Sequence, residues 1–207
     1  MQLFGRSSSH YTRVTRIFAA ELEVELDFQP IRDLMSTDAA DYGGNPALKL
    51  PTLRVDGDAW FGSLSICRQL SAASALDLDI TWPEDLALPV AANAQEMTLQ
   101  AMATGTALIM GEASGVTSDN ALLAKQRQSL QGTLAWLEGN VSAAIASLPP
   151  MRDLSYLEVA LFCLLEHLEF RGVQSLEGYP NLRGCAERFG RRSSARNTAF
   201  RFDFPAV

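Results

Sequence analysis

Residues 45–53 read Asn-Pro-Ala-Leu-Lys-Leu-Pro-Thr-Leu and form the most informative stretch of the chain. Pro51 stands directly before a short β-branched and aliphatic run that continues to Val55. Because proline has no N–H to donate to a central ladder, we expect it at the entry of a strand, and we predict that the bond before it is cis. Such a bend leaves the backbone amide and carbonyl of Leu50 free to pair with an extended ligand.

The sequence after this stretch predicts a hairpin and a helix. Asp56-Gly57 is a turn signal between the run that ends at Val55 and the apolar residues 59–61, so the two runs are expected to pair as antiparallel strands. Ser63 follows and is placed to cap a helix that continues through Ala73.

Upstream of residue 45, strand and helix signals alternate. Residues 3–4 open a strand, and the apolar spacing from Val14 to Leu22 marks one face of a helix. Residues 23–28 alternate polar and apolar side chains, as a half-buried strand does. The predicted order over residues 1–75 is therefore β-α-β, a polar loop, and β-β-α.

Beyond Pro83 the strand signals largely stop. Residues 89–110 and 120–148 carry helical compositions and spacings, and the Pro-Pro pair at 149–150 ends the second of these segments. We predict an all-helical second domain over residues 84–207.

One helix of this second domain has a distinct signature. Ser155 and Glu158 stand in the Ser-x-x-Glu relation of a capping box. The following run, 159–165, is apolar on nearly every side, which a helix tolerates only when other helices surround it. A last helix is predicted to start at Pro180, which is preset for a first turn.

Composition restricts the classes of function. The chain has 207 residues, 47% of them hydrophobic, which is enough for one large or two small cores. A net charge of −7 argues against nucleic acid as a partner. No apolar run approaches the ~20 residues of a membrane span, and no signal peptide is expected. The three cysteines are widely spaced, which favours a reduced, cytoplasmic protein, and they are expected to be small buried hydrophobic residues: Cys67, Cys163 and Cys185.

Together these motifs resemble the glutathione transferase family over nearly the whole chain. Residues 45–53 are similar to the family segment Asn-Pro-x-x-Lys-Val-Pro-x-Leu, and residues 63–66 to its serine-headed helix. In the second domain, residues 154–158 resemble the family's capping box. Residues 179–182, Tyr-Pro-Asn-Leu, resemble the segment that opens its late helix, and residues 191–194 a degraded Arg-Pro-Ser.

The resemblance implies an α/β thioredoxin-like N-terminal domain that binds glutathione and an all-α C-terminal domain that shapes the pocket for a second substrate. It also implies a homodimer, in which we expect Trp60, Phe61 and the segment from Arg68 onward near the interface. Glutathione would be the co-substrate. A hydrophobic electrophile would be the partner molecule, as in detoxification, with no metal, nucleic acid or membrane involved.

In this family the reacting group is a hydroxyl or thiol at the start of the first helix. Aligning residues 9–11 with the common Ser-Pro-Phe segment makes Ser9 the active hydroxyl, whereas matching Arg13-Val14 to the zeta-like isomerase signature selects Ser8. We favour Ser9, because that register also aligns the apolar face of the following helix. The hydroxyl would donate a hydrogen bond to the thiolate and lower the pKa of the thiol.

The resemblance also assigns the binding residues. Leu50, Pro51 and Ser63 would hold glutathione, and Lys49 would meet its glycyl carboxylate. Gly62 departs from the family, which places Glu or Gln there for the γ-glutamyl ammonium. We therefore expect weakened affinity, and a carboxylate restored at Gly62 tightens binding only if that backbone conformation is open to other residues.

Two histidines and a tyrosine complete the candidates. His10 and Tyr11 adjoin the proposed hydroxyl and are candidates for the second-substrate pocket, although a first-turn histidine is expected to be exposed. His167 falls in the buried-helix pattern and is expected to be a partnered packing residue. No metal-ligand spacing is present in the sequence.

Three functions remain open at this point. The first is transfer of glutathione to an electrophile, and the second is a glutathione-dependent isomerase or lyase, favoured if Ser8 is the active group. The third is a transferase-like binding protein without efficient chemistry, which Gly62 favours.

Overall fold

The computed structural model describes residues 1–117 and 119–205. The chain divides into two compact units, one formed by Met1–Leu78 together with Arg191–Val207 and the other by Asp79–Gly190. The second unit thus ends before the predicted boundary at residue 207.

The first unit contains strand β1 (Gln2–Gly5), helix α1 (His10–Glu21), strand β2 (Asp27–Pro30), a 3-10 turn (Ala39–Tyr42), strand β3 (Thr52–Val55), strand β4 (Asp58–Phe61) and helix α2 (Ser63–Ala73). The sheet order is β2-β1-β3-β4. β1 is parallel to β2 and antiparallel to β3, which pairs with β4 in the predicted hairpin. This is the thioredoxin-like arrangement.

Apolar residues from the central strands and the two helices form the core of this unit. The fully buried members are Leu3, Val14, Ile17, Phe18, Leu53, Ile66 and Leu70. The spacing of those on α1 is the helical period predicted from the sequence, since residues three or four apart share one face. This packing fixes α1 and α2 relative to the sheet.

The predicted strand at residues 23–28 is wrong for residues 23–26. Helix α1 ends with Leu22 as its C-cap, and Glu23 has a φ of 53°. The N–H of Val24 donates to the carbonyl of Ala19 at 2.9 Å, so Glu23 and Val24 form part of the C-terminal cap of α1. β2 begins only at Asp27.

Residues 191–205 belong to the first unit because they are bound to α1. A short helix, α7 (Ser193–Asn197), lies here. Arg192 forms a 2.8 Å ion pair with Glu21, and the hydroxyl of Ser194 donates to the same carboxylate. The guanidinium of Arg13, itself 2% exposed, donates to the carbonyl of Ala195 at 3.1 Å. Arg192 of this C-terminal segment therefore has a partner within the first unit.

The second unit is helical apart from two very short strands. It contains β5 (Ile80–Thr81), helices α3 (Pro89–Ala113) and α4 (Ala121–Ala146), β6 (Leu154–Ser155), and helices α5 (Tyr156–Phe170) and α6 (Pro180–Phe189). β5 and β6 pair in parallel. Helix α6 starts at Pro180 as predicted. In the described part of the chain no helix combines the length and apolar character needed to cross a membrane.

The predicted buried helix is present, but its predicted capping box is not. Residues 159–165 of α5 are all buried. Ser155 is the N-cap without a side-chain cap bond, and its hydroxyl has no partner among the residues described. The carboxylate of Glu158 instead forms a 2.8 Å ion pair with Arg152.

The cysteines differ from one another. Cys67 and Cys163 are buried as expected, whereas Cys185 is partly exposed. Desolvation raises the pKa of the Cys185 thiol, while the guanidinium of Arg188 opposes this effect. The expectation of a buried thiol is therefore wrong for Cys185.

Candidate functional site

One end of the sheet brings together three segments that the sequence singled out. Phe4, Thr52 and Phe61 lie side by side there on β1, β3 and β4. At this end β1 leaves the sheet toward the serine-rich turn, β3 enters it from Pro51, and β4 leaves it toward α2. The topology thus places residues that are far apart in sequence at the same end of the sheet.

The loop before β3 has the predicted geometry. The Leu50–Pro51 peptide bond is cis. Asn45, 3% exposed, braces the loop: its amide nitrogen donates to the Lys49 carbonyl at 2.8 Å, and its oxygen accepts from the Ala47 N–H at 3.0 Å. Leu50 is half-buried, and its N–H and carbonyl bond to none of the residues described. They remain available to an extended ligand.

The start of α2 adjoins this loop. The N–H of Gly62 donates to the carbonyl of Pro51 at 3.3 Å. Gly62 is the N-cap of α2 and makes no side-chain cap bond, so the predicted capping role of Ser63 is wrong: Ser63 is the first helical residue. Its side chain is buried, at 7% exposure.

Gly62 has a φ of 81° and a ψ of 147°, a conformation that favours glycine. A carboxylate at this position was expected to tighten glutathione binding only if the backbone conformation were open to other residues. The positive φ means that this condition is not met. A Cβ at Gly62 would meet no atom within 4 Å, so the obstacle is the backbone conformation rather than space. Gly62→Glu is therefore not expected to tighten glutathione binding.

Replacing Gly62 with alanine should instead lower the free energy of unfolding by about 1 to 3 kcal/mol, the cost of a residue held in this region. Gly132 is the matched control: it lies in α4, has open space around its Cβ and has no positive φ. Gly132→Ala should raise stability by about 0.8 to 1 kcal/mol. Urea unfolding measures both, and equal effects of the two substitutions would contradict the assigned strain.

The serine-rich turn precedes α1. Ser9 is the N-cap: its Oγ accepts from the Thr12 N–H at 3.3 Å, and its own N–H donates to the Arg6 carbonyl at 3.0 Å. Its hydroxyl proton has no acceptor in the described part of the chain, and the side chain is half-buried. Ser8 and Ser7 are more enclosed, at 6% and 1% exposure. Of the three, Ser9 is the most accessible donor.

The environment of the next two residues differs from the sequence expectation. His10 is 1% exposed, so the expected exposure is wrong; its ring stacks edge-on to Tyr11 with centroids 4.4 Å apart. Burial raises the pKa of the Tyr11 phenol above its ordinary value. His167 is buried on α5 and has a partner, as expected. Residues 1–117 and 119–205 hold no cluster of three or more His, Cys, Asp or Glu suited to a metal ion.

The sequence missed the C-terminal tail, residues 198–205, which contacts the serine-rich turn. Phe200 lies on the guanidinium of Arg13, and Asp203 accepts the N–H of Ser7. The alternation Phe-Arg-Phe-Asp-Phe at 200–204 is visible in the sequence, but a period of two gives no indication of its partner.

Comparisons with known proteins agree with this geometry. Residues 8–73 match the family model for the glutathione S-transferase N-terminal domain. No curated protein gives a significant match. A glutathione transferase family member from Pseudomonas fluorescens Pf-5 with bound glutathione is 23% identical, with a TM-score of 0.78 over 97% of this chain and 98% of that chain. A glutathione S-transferase from Methylobacillus flagellatus KT with glutathione bound is 21% identical, with a TM-score of 0.75 over 97% and 99%.

A thioredoxin-like unit with a cis-proline loop and a second, mainly helical unit together match the glutathione transferase fold. At these identities the solved structures establish the fold alone. Residues 8–73 are thus similar to the glutathione S-transferase N-terminal domain, and the chain as a whole has the glutathione transferase fold.

Proposed function

We propose that this protein binds glutathione and transfers it to a hydrophobic electrophile. The observation that carries the proposal is the arrangement at one end of the sheet, where the loop of Leu50 enters β3 and the serine-rich turn follows β1: among the residues described, the N–H and carbonyl of Leu50 and the hydroxyl hydrogen of Ser9 have no hydrogen-bond partner. Two solved relatives of the same fold hold glutathione, and one of these proteins also holds S-(propanoic acid)-glutathione.

The binding role follows from the loop. An extended peptide-like ligand would exchange backbone hydrogen bonds with Leu50, as an added strand does. Lys49 is exposed and would meet the glycyl carboxylate as a point charge. Ser63 would contact the γ-glutamyl end near the first turn of α2, where helix amides favour a carboxylate.

The chemical role is assigned to Ser9. Its hydroxyl would donate to the sulfur, which favours the thiolate and lowers the pKa of the thiol from about 8.5. The thiol proton passes to solvent. The sulfur then forms a bond to the electrophilic carbon, and the leaving group departs with its electron pair. Binding both reactants supplies proximity. His10 and Tyr11 remain proposed residues of the second-substrate pocket, and a homodimer remains a prediction.

Calorimetric titration with glutathione tests the proposal. We expect saturable binding, weakened by about 1.4- to fivefold in Lys49→Ala, because an exposed ion pair contributes about 0.2 to 1 kcal/mol. Lys125 is the matched control, since it is the other lysine of the chain and is also exposed. Lys125→Ala should leave the affinity unchanged. An unaltered protein that releases no heat with millimolar glutathione would overturn the proposal.

A transferase-like binding protein is the second candidate. Gly62 favours it, because the position lacks a carboxylate for the γ-glutamyl ammonium and its backbone conformation disfavours one. Binding of glutathione without conjugation of any tested electrophile would favour this alternative. The isomerase or lyase alternative depends on Ser8, whose 6% exposure makes it the less accessible hydroxyl.

A further inference from the structure

The C-terminal tail, residues 198–205, forms a hydrogen bond to the serine-rich turn that carries Ser9. The backbone N–H of Ser7 donates to Oδ2 of Asp203 at 2.7 Å, across 196 positions of sequence. Ser7 is 1% exposed, and this carboxylate is the only acceptor of its N–H among the residues described. Without Asp203 a buried amide would lose its partner, which is unfavourable wherever water cannot replace it.

Aromatic residues on both sides of Asp203 in the tail contact arginines of the first unit. The ring of Phe200 lies 4.3 Å from the guanidinium carbon of Arg13, and the ring of Phe204 lies 5.1 Å from that of Arg32. Both distances are within the range of cation–π attraction. The tail therefore approaches the turn in one defined position.

Arg16 completes the connection. Its guanidinium donates to the hydroxyl of Ser7 at 3.4 Å and interacts electrostatically with both Asp203 and Arg201. Burial is the largest cause of the lowered pKa of Arg16, and Asp203 opposes that effect. The carboxylate of Asp203 thus binds the backbone N–H of Ser7 and also attracts Arg16, which donates to the Ser7 hydroxyl.

We propose that Asp203 is the positioning residue for Ser9, acting through the N–H of Ser7. Ser9 lies two residues further along the same turn, and its carbonyl and hydroxyl both accept bonds from the start of α1. A turn released at Ser7 would reorient the hydroxyl that meets the thiolate. This inference rests on the proposed function, because it assigns the geometry of that same site to a residue of the tail.

The test is a mutant cycle on the full chain with Asp203→Ala, Ser9→Ala and the double variant. With glutathione at saturation, Asp203→Ala should lower the conjugation rate of a chlorodinitrobenzene probe about tenfold and shift the thiolate absorbance midpoint to higher pH. The dissociation constant for glutathione should change less than about twofold, because the Leu50 loop is untouched. In the Ser9→Ala background the further loss should be less than about twofold.

Two further variants separate position from charge and from folding. Asp203→Asn keeps an acceptor for the Ser7 N–H and should retain the rate within about twofold. Glu177→Gln removes the same charge at an exposed position of the other unit and should change nothing. Hydrogen exchange of residues 6–12, measured without ligand, should accelerate at least about fivefold in Asp203→Ala only.

The outcomes are distinguishable. Unchanged exchange and rate in Asp203→Ala would overturn the positioning role, as would a full tenfold loss in the Ser9→Ala background. If the unaltered protein does not bind glutathione, the proposed function fails. The exchange measurement then decides alone whether Asp203 holds the turn.

Discussion

Replacing Ser9 with alanine is expected to lower the rate of glutathione conjugation by roughly 10- to 1000-fold, the range for loss of one preorganised donor. The hydrogen bond from the hydroxyl stabilises the thiolate and not the thiol, so its loss raises the pKa of bound glutathione toward about 8.5. The midpoint of the pH–rate profile should therefore move to higher pH. Stopped-flow rates and ultraviolet thiolate absorbance at saturating glutathione measure both effects.

Ser9 also caps α1, so a control must separate the cap from the chemistry. Alanine at an N-cap costs about 0.5 to 2 kcal/mol of stability, whereas glycine costs only a few tenths. Ser9→Gly should consequently lose activity as alanine does while nearly keeping the stability of the parent. Ser8→Ala should have a much smaller effect on rate. Equal rates for Ser9→Ala and the parent would move the role to Ser8 or eliminate it.

Gly43→Ala should destabilise the first unit by about 2 to 6 kcal/mol. Gly43 has a φ of 66°, and a Cβ there would lie 2.7 Å from Cδ2 of the Phe4 ring. The conformation costs about 1 to 3 kcal/mol, and the overlap adds about 1 to 3 kcal/mol. The phenylalanine cannot easily move, because its own Cβ is also within 3.3 Å. Urea unfolding monitored by circular dichroism measures the loss.

The neighbouring glycine isolates the first of these costs. Gly44 has a φ of 89°, but a Cβ there would meet nothing within 4 Å. Gly44→Ala should therefore cost about 1 to 3 kcal/mol, from conformation alone. The difference between the two variants measures the contact with Phe4. If Gly44→Ala were as damaging as Gly43→Ala, the predicted overlap would not be the cause.

Much of the fold was accessible from periodicity and local chemistry. The hairpin around Asp56-Gly57, the helix from Ser63 to Ala73 and the buried run 159–165 all depend on neighbours in sequence, and each is present. The errors occurred where competing partners were close. Residue 23 continues the cap of α1 instead of starting a strand, and Glu158 binds Arg152 instead of capping α5.

The candidate site also contains some features that local sequence predicts and others that depend on distant contacts. The cis bond at Pro51 was predicted from the residue and its neighbours, because proline excludes itself from the ladder. The burial of His10 and the conformation of Gly62 were not predicted, because both depend on how distant segments pack. The roles of Ser9, Lys49 and the other proposed site residues remain predictions.

The sequence by itself determined the order of the elements, the motif of residues 45–53 and the serine-rich start of α1, because local steric and hydrogen-bonding preferences act over a few residues. Only the tertiary structure decided that residues 191–205 return to the first unit and that Asp203 meets the N–H of Ser7. A contact across 196 positions has no local signal, since it depends on the packing of everything between its partners.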